Sequence, residues 1–196
     1  MSKEVEFYFD VGSPASYLAW TQLPKLCETL GARLIYKPML LGGVFQATGN
    51  ASPAAVPVKG RYVSLDYLRF ARRYGVPLIM NPHFPIITLY LMRATTGIQM
   101  RQPERFQDFL AAVFKALWID ALNLNLPELT AKALVDGGFD PAEIDRLAND
   151  AEVKAALRKT TEEAVSRGVF GAPTTFVGDE MFFGQDRLDF VREALV

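Results

Sequence analysis

The first forty residues switch between two hydrophobic periods. "VEFYFD", Val5 to Asp10, is a short aromatic and β-branched run that stops at Gly12, the pattern of a buried strand. From Pro14 the apolar positions Tyr17, Leu18, Leu23, Leu26, Cys27 and Leu30 fall mostly at helical spacings, and Gly31 supplies a stop. Pro24 inside that span removes a backbone donor and predicts a kink. "ARLIYKPML", Ala32 to Leu40, is strand-like up to Pro38, so the chain opens β-α-β with parallel strands.

Leu41 to Gly60 is rich in Gly, Pro and Ala and reads as a long, partly irregular connection, a kind of segment that often carries function. From Arg61 to Arg167 the period is almost wholly helical. It is clearest where Phe106, Phe109, Leu110, Val113, Phe114, Leu117 and Trp118 share one face. Helix starts are predicted after Asn81-Pro82, Gln102-Pro103, Leu126-Pro127 and Asp140-Pro141, because proline suits the first helical turn. The last segment returns to β character: Thr174 to Val177, a Gly178-Asp179 turn, Met181 to Phe183, then a helix from Asp186. This order predicts an α/β fold with a mixed four-stranded sheet, residues 1–60 and 168–196, carrying an all-helical insertion over residues 61–167.

Composition narrows the function classes. Half of the 196 residues are apolar, enough for a sizeable core. With 21 Lys plus Arg against 22 Asp plus Glu, the net charge of −1 offers no polybasic field for nucleic acid or an anionic membrane, and favours a small neutral or anionic substrate. Cys27 is the only cysteine, which excludes an internal disulfide or a dithiol redox cycle within one chain and points to a reducing compartment. The N-terminus lacks the apolar core of a signal peptide and no run of about 18 apolar residues occurs, so a soluble cytoplasmic protein is expected. His83 is the only histidine, it sits in a loop, and no His/Cys/Asp cluster suggests a metal.

Two short motifs carry the candidate chemistry. In "FDVGSPASYLAW", Ser13 followed by Pro14 fits an ordinary helix N-cap with proline at the first position. The same place is also a helix N-terminus, where unsatisfied N–H groups favour an anion, a thiolate included. In "VFGAPTTFV", Pro173 at the entry to a strand is either an edge-strand start or a cis peptide.

These motifs, together with "TGNASPAAVPVKGRY", "NPHFP" and "FGAPTTFVGDEMFFGQDRL", resemble the thioredoxin fold of the DsbA and kappa-class glutathione transferase group, and most closely the 2-hydroxychromene-2-carboxylate isomerases. The resemblance covers essentially the whole chain. Disulfide oxidoreductases of this fold hold two cysteines where this chain has Ser13 and Ser16, so the resemblance implies a borrowed thiol: Ser13 would donate a hydrogen bond to the sulfur of bound glutathione. It further implies a cis Ala172-Pro173 bond exposing the Ala172 backbone to the cysteinyl part of glutathione. Gly184, Gln185 and Asp186 would lie at the γ-glutamyl end, with Asn50 and Lys59 as further contacts. Phe84 and Ala47 would be substrate-side residues. Phe84 stands where the naphthalene-pathway isomerases usually have tyrosine, so that hydroxyl is missing here.

The implied activity is a glutathione-dependent interconversion of 2-hydroxychromene-2-carboxylate and trans-o-hydroxybenzylidenepyruvate, by addition and loss of the thiolate, in a homodimer. The alternatives are a kappa-like glutathione transferase and a non-catalytic thioredoxin-fold binding module.

Overall fold

A computed structural model describes residues 3–196. Strand β1 (Glu4–Phe9) lies inside a sheet of order β2-β1-β3-β4, with β2 at Arg33–Pro38, β3 at Thr174–Val177 and β4 at Glu180–Phe183. β1 runs parallel to β2 and antiparallel to β3, and β3 pairs antiparallel with β4 across the Gly178-Asp179 turn. The architecture is the mixed sheet with helical content expected of a thioredoxin-like fold.

β1 reads as continuously hydrophobic because both of its faces are covered. Val5, Phe7 and Phe9 point into the main core with Leu18, Leu23, Phe114 and Trp118. Tyr8 points the other way, into a smaller cluster with Met39, Val44, Ala164, Val169 and Phe176. Phe7 and Phe9 stack at 5.0 Å, and Tyr8 meets Phe176 edge-on at 5.7 Å.

α1 (Pro14–Leu30) continues through Pro24 without a break and ends on Gly31 in the left-handed region, φ 64°. The kink-prone position is held by the burial of Leu23, Leu26 and Cys27 on its inner side. Elsewhere the structure refines the reading of Leu41 to Gly60 as a long, partly irregular connection. That segment contains α2 (Leu41–Thr48), a 3-10 turn at Pro53–Ala55, and the first turn of α3 (Pro57–Tyr74). Two glycines make α2 a poor helix by propensity, so tertiary anchors decide it. The Leu40 N–H donates to Thr161 Oγ1 and the Leu41 N–H to the Asp10 carboxylate.

A correction falls at Asn81-Pro82, which starts no helix. The next helix, α4, spans Leu89–Arg101. Asn81 is buried, and its amide donates to the carbonyls of Leu117 and Leu122 while its Oδ1 accepts from the His83 N–H. These bonds fix an Asx-type turn instead of a cap. The other proline signals do precede helices: α5 (Phe106–Trp118) after a 3-10 turn at Pro103–Arg105, α6 (Pro127–Asp136) and α7 (Pro141–Asn149). α8 (Ala151–Ser166) and α9 (Leu188–Ala194) complete the set among the described residues. The final helix begins later than Asp186, which sits in a 3-10 turn, Gln185–Arg187, and caps nothing.

Candidate functional site

The Ser13 turn is built by three segments converging on one carboxylate. Asp10, at the end of β1, is 1% exposed. It accepts from the Gly12 N–H, the Leu41 N–H and the Thr88 hydroxyl, each at 2.9 Å. It thus ties the β1–α1 turn to the starts of α2 and α4. Burial raises the Asp10 carboxyl above its ordinary pKa, opposed by the donors of Leu41, Gly12 and Thr88. Gly12 is required by the same convergence, since a Cβ there would come within 2.5 Å of Thr88 Cγ2.

Ser13 is a true N-cap: its Oγ accepts from the Ser16 N–H at 3.1 Å, and Pro14 occupies the first helical position. The hydroxyl also donates to the Ala172 carbonyl at 3.0 Å. The Ala172-Pro173 bond is cis, as is Phe84-Pro85. Ser16 is fully buried, and its hydroxyl has no hydrogen-bond partner among the described residues.

Ser13 and Ala172 open onto a cleft of about 1190 Å³ whose lining is mostly apolar. Asn50 and Phe84 line it too, so four of the expected site residues share one wall system. Phe84 leans toward Trp118, ring centroids 6.3 Å apart. Asn50 holds the rim by donating from Nδ2 to the Phe170 carbonyl at 2.7 Å.

Other expected residues lie behind or outside this lining. The Gly184 N–H donates to the Pro173 carbonyl at 2.9 Å, and the Gln185 carbonyl accepts from the Tyr74 hydroxyl at 2.6 Å. Gln185 is buried and Asp186 exposed, the latter paired with Arg187 at 2.7 Å. Asp186 still reaches the cleft electrostatically: Tyr67, a lining residue, has its phenol pushed up to about 12 by burial and then by the Asp186 and Asp66 charges. Lys59 is exposed on α3 and is absent from the cleft lining. Ala47 lies in a separate cleft beyond α2, because that face of the helix turns toward α8.

Asp10, Tyr67, Arg61 and Thr88 belong to the cleft and were not singled out from the sequence. An aspartate between an apolar strand and a glycine is a legible Asx-turn signal for the first. The others have no local signature. Cys27 is 2% exposed in the core, with its thiol pushed up to about 11 by burial, so the chain brings no reactive thiol to the cleft. Among the described residues no group of three or more His, Cys, Asp or Glu is placed to hold a metal ion, and no helix is long and apolar enough to cross a membrane.

A serine N-cap facing the carbonyl that precedes a cis proline, beside a sheet of this order, fits the thioredoxin-like fold expected from the sequence, and the comparisons with known proteins agree. The profile of the DSBA-like thioredoxin domain matches residues 4–196. The chain belongs to the DSBA-like thioredoxin family. It is 33% identical to the 2-hydroxychromene-2-carboxylate isomerase of Sphingobium xenophagum over 201 residues, covering all of both chains. It is 29% identical to glutathione S-transferase kappa 1 of Rattus norvegicus, covering 95% of this chain and 88% of that one. A solved 2-hydroxychromene-2-carboxylate isomerase structure superimposes with a TM-score of 0.82 at 31% identity, over 98% of this chain and 94% of the other.

Proposed function

We propose that this protein is a glutathione-dependent isomerase that interconverts 2-hydroxychromene-2-carboxylate and trans-o-hydroxybenzylidenepyruvate, or a related aromatic carboxylate. The observation that carries the reading is Ser13, whose hydroxyl sits at a helix N-terminus and at the Ala172 carbonyl, on the wall of a large apolar cleft. The full-length likeness to curated isomerases supplies the reaction class.

The residues present fit a thiol tripeptide. The cleft has no thiol of its own, and the lining offers the Asn50 amide for a polar end, with Asp186 nearby for an ammonium. Bound glutathione would supply a nucleophilic sulfur that adds to and leaves the conjugated carbon, allowing rotation about a former double bond. Ser13 acts through a single proton. Oγ accepts from the Ser16 N–H and its one proton is given to the Ala172 carbonyl, so an anionic sulfur would compete for that proton. Turned toward a bound sulfur, that proton would leave the Ala172 carbonyl free to accept from another donor. Asp10 positions the turn, and the apolar lining excludes water and strengthens the electrostatic help given to an anion. Arg61, the one cation of the lining among the described residues, would face a substrate carboxylate.

The kappa relatives support a second reading, in which glutathione stays attached to the product. Product mass separates the two: an isobaric product means isomerase, and a mass increase by one glutathione means transferase. We read the protein as cytoplasmic, divided near residues 60 and 168 into a sheet unit and a helical unit. We also read it as a homodimer, supported by the exposed stripe Val58, Tyr62 and Leu65 on α3. A stable monomer in sedimentation at micromolar concentration would remove the dimer. The decisive assay is the ultraviolet spectrum of 2-hydroxychromene-2-carboxylate with protein, with and without glutathione. Conversion that needs glutathione without consuming it supports the isomerase; no conversion in either case discards this substrate.

A further inference from the structure

A second cleft, of about 740 Å³, lies on the far side of α2, between α2, α4 and α8. Its floor is apolar, formed by Leu40, Leu89, Leu157 and Val165 among others. Its charged groups are three cations, Arg93 of α4 and Lys154 and Arg158 of α8, against one carboxylate, Glu162. The other half-buried cations of this chain are engaged, Lys37 with Glu6 and Glu163, Arg167 with Glu6 and Arg105 with the Gly138 carbonyl, whereas exposed cations such as Lys25 and Arg146 make no ion pair among the described residues. Arg93, Lys154 and Arg158 make no ion pair and no side-chain hydrogen bond among the described residues, although Glu162 stands one turn from Arg158. Lys154 and Arg158 are themselves one helical turn apart, a like-charge spacing that weakens an isolated helix. An apolar hollow rimmed by unneutralised cations has the complement of one ligand class: a small organic anion with an apolar body.

We propose that this cleft is a binding site for an aryl or acyl carboxylate, separate from the Ser13 cleft. The apolar body lies on Leu157 and Val165, and the carboxylate meets Arg93, Lys154 and Arg158. Leu40 and Leu89 line both clefts, so occupancy here presses on the wall of the Ser13 cleft. The site does not depend on glutathione or on the isomerase reading.

The test is titration calorimetry of the full chain with 2-naphthoate and with its neutral counterpart, 2-naphthalenemethanol. Two variants accompany it: the double variant Lys154→Gln/Arg158→Gln, and Ala155→Leu, which fills the cleft from an exposed lining position. The expected result is a naphthoate site that weakens about tenfold or more in each variant, with the alcohol bound at least about tenfold more weakly by the unmodified chain. A naphthoate affinity unchanged in both variants would place the binding elsewhere and overturn the proposal. So would equal affinity for acid and alcohol, or no binding up to about 5 mM. If one variant fails to fold, the other decides.

Discussion

Two helix starts in this chain are nearly identical locally and differ in everything beyond. Ser13-Pro14 opens α1 and Asp140-Pro141 opens α7. Both caps are extended, with φ and ψ of −94° and 117° for Ser13 and −77° and 116° for Asp140. In each, a side-chain oxygen accepts a first-turn N–H at 3.0–3.1 Å, from Ser16 and from Ala142. Asp140 is exposed and its bond is wholly local. Ser13 is 5% exposed, and its hydroxyl also donates to the carbonyl of Ala172, a contact 159 residues away along the chain. The cap is therefore the common element, and the long-range partner is what separates a helix start from a site. A capping motif gives no warning of which it is.

Removing each cap breaks the comparison most directly. Ser13→Ala is expected to cost about 1 kcal/mol of stability as a lost cap, while turnover with glutathione falls by about 10²–10³-fold, the scale of a missing donor to developing or bound negative charge. Urea denaturation and the spectrophotometric assay measure the two. Near wild-type turnover would leave Ser13 as a cap alone.

The support beneath Ser13 comes next. Asp10→Ala strips three donors, the half-buried N–H groups of Gly12 and Leu41 and the buried Thr88 hydroxyl, of their acceptor, and is expected to destabilise the protein by about 3 kcal/mol. A loss below about 1 kcal/mol by urea denaturation would mean that water replaces the carboxylate without strain.

Asp10 also makes a pH prediction. Its folded pKa is raised from 3.8 by burial, so the folded state holds that proton more tightly than the unfolded chain. The stabilising contribution of the protonated form is complete below the unfolded value and is lost as pH rises through the raised folded value. Stability relative to Asp10→Asn should therefore decline with rising pH above about 4. Parallel stability curves for the two proteins across that range would remove the argument.

The smallest effect belongs to the other helix. Asp140→Ala should lower stability by about 1 kcal/mol, with turnover unchanged. A change in turnover would show that α7 communicates with the cleft, which the geometry of Asp140 gives no reason to expect.

Much of this was legible beforehand because it is encoded in local period and chemistry. The buried strand at Val5 to Phe9, the α1 stop at Gly31, the apolar face of α5 and the Gly178-Asp179 hairpin all follow from spacing and turn residues that need no partner. Where the reading failed or stayed coarse, a distant group overrode a local signal. Asn81-Pro82 became a turn because Leu117 and Leu122 present carbonyls to Asn81. Leu41–Thr48 became a helix despite Gly42 and Gly43 because Asp10 and Thr161 hold its first N–H groups.

The candidate site divides along the same line. The sequence alone determined that a capping serine, a proline at a strand entry and a single buried-type cysteine coexist in one chain, since each is a local property of residue type and position. Only the tertiary structure decided that Ser13, Asn50, Phe84 and Ala172 share one cleft and that Ala47 belongs to another. It also decided that Asp10 anchors the whole turn. Cleft membership depends on which segments pack together across the sheet, and no short stretch of sequence carries the side chains that will close around it.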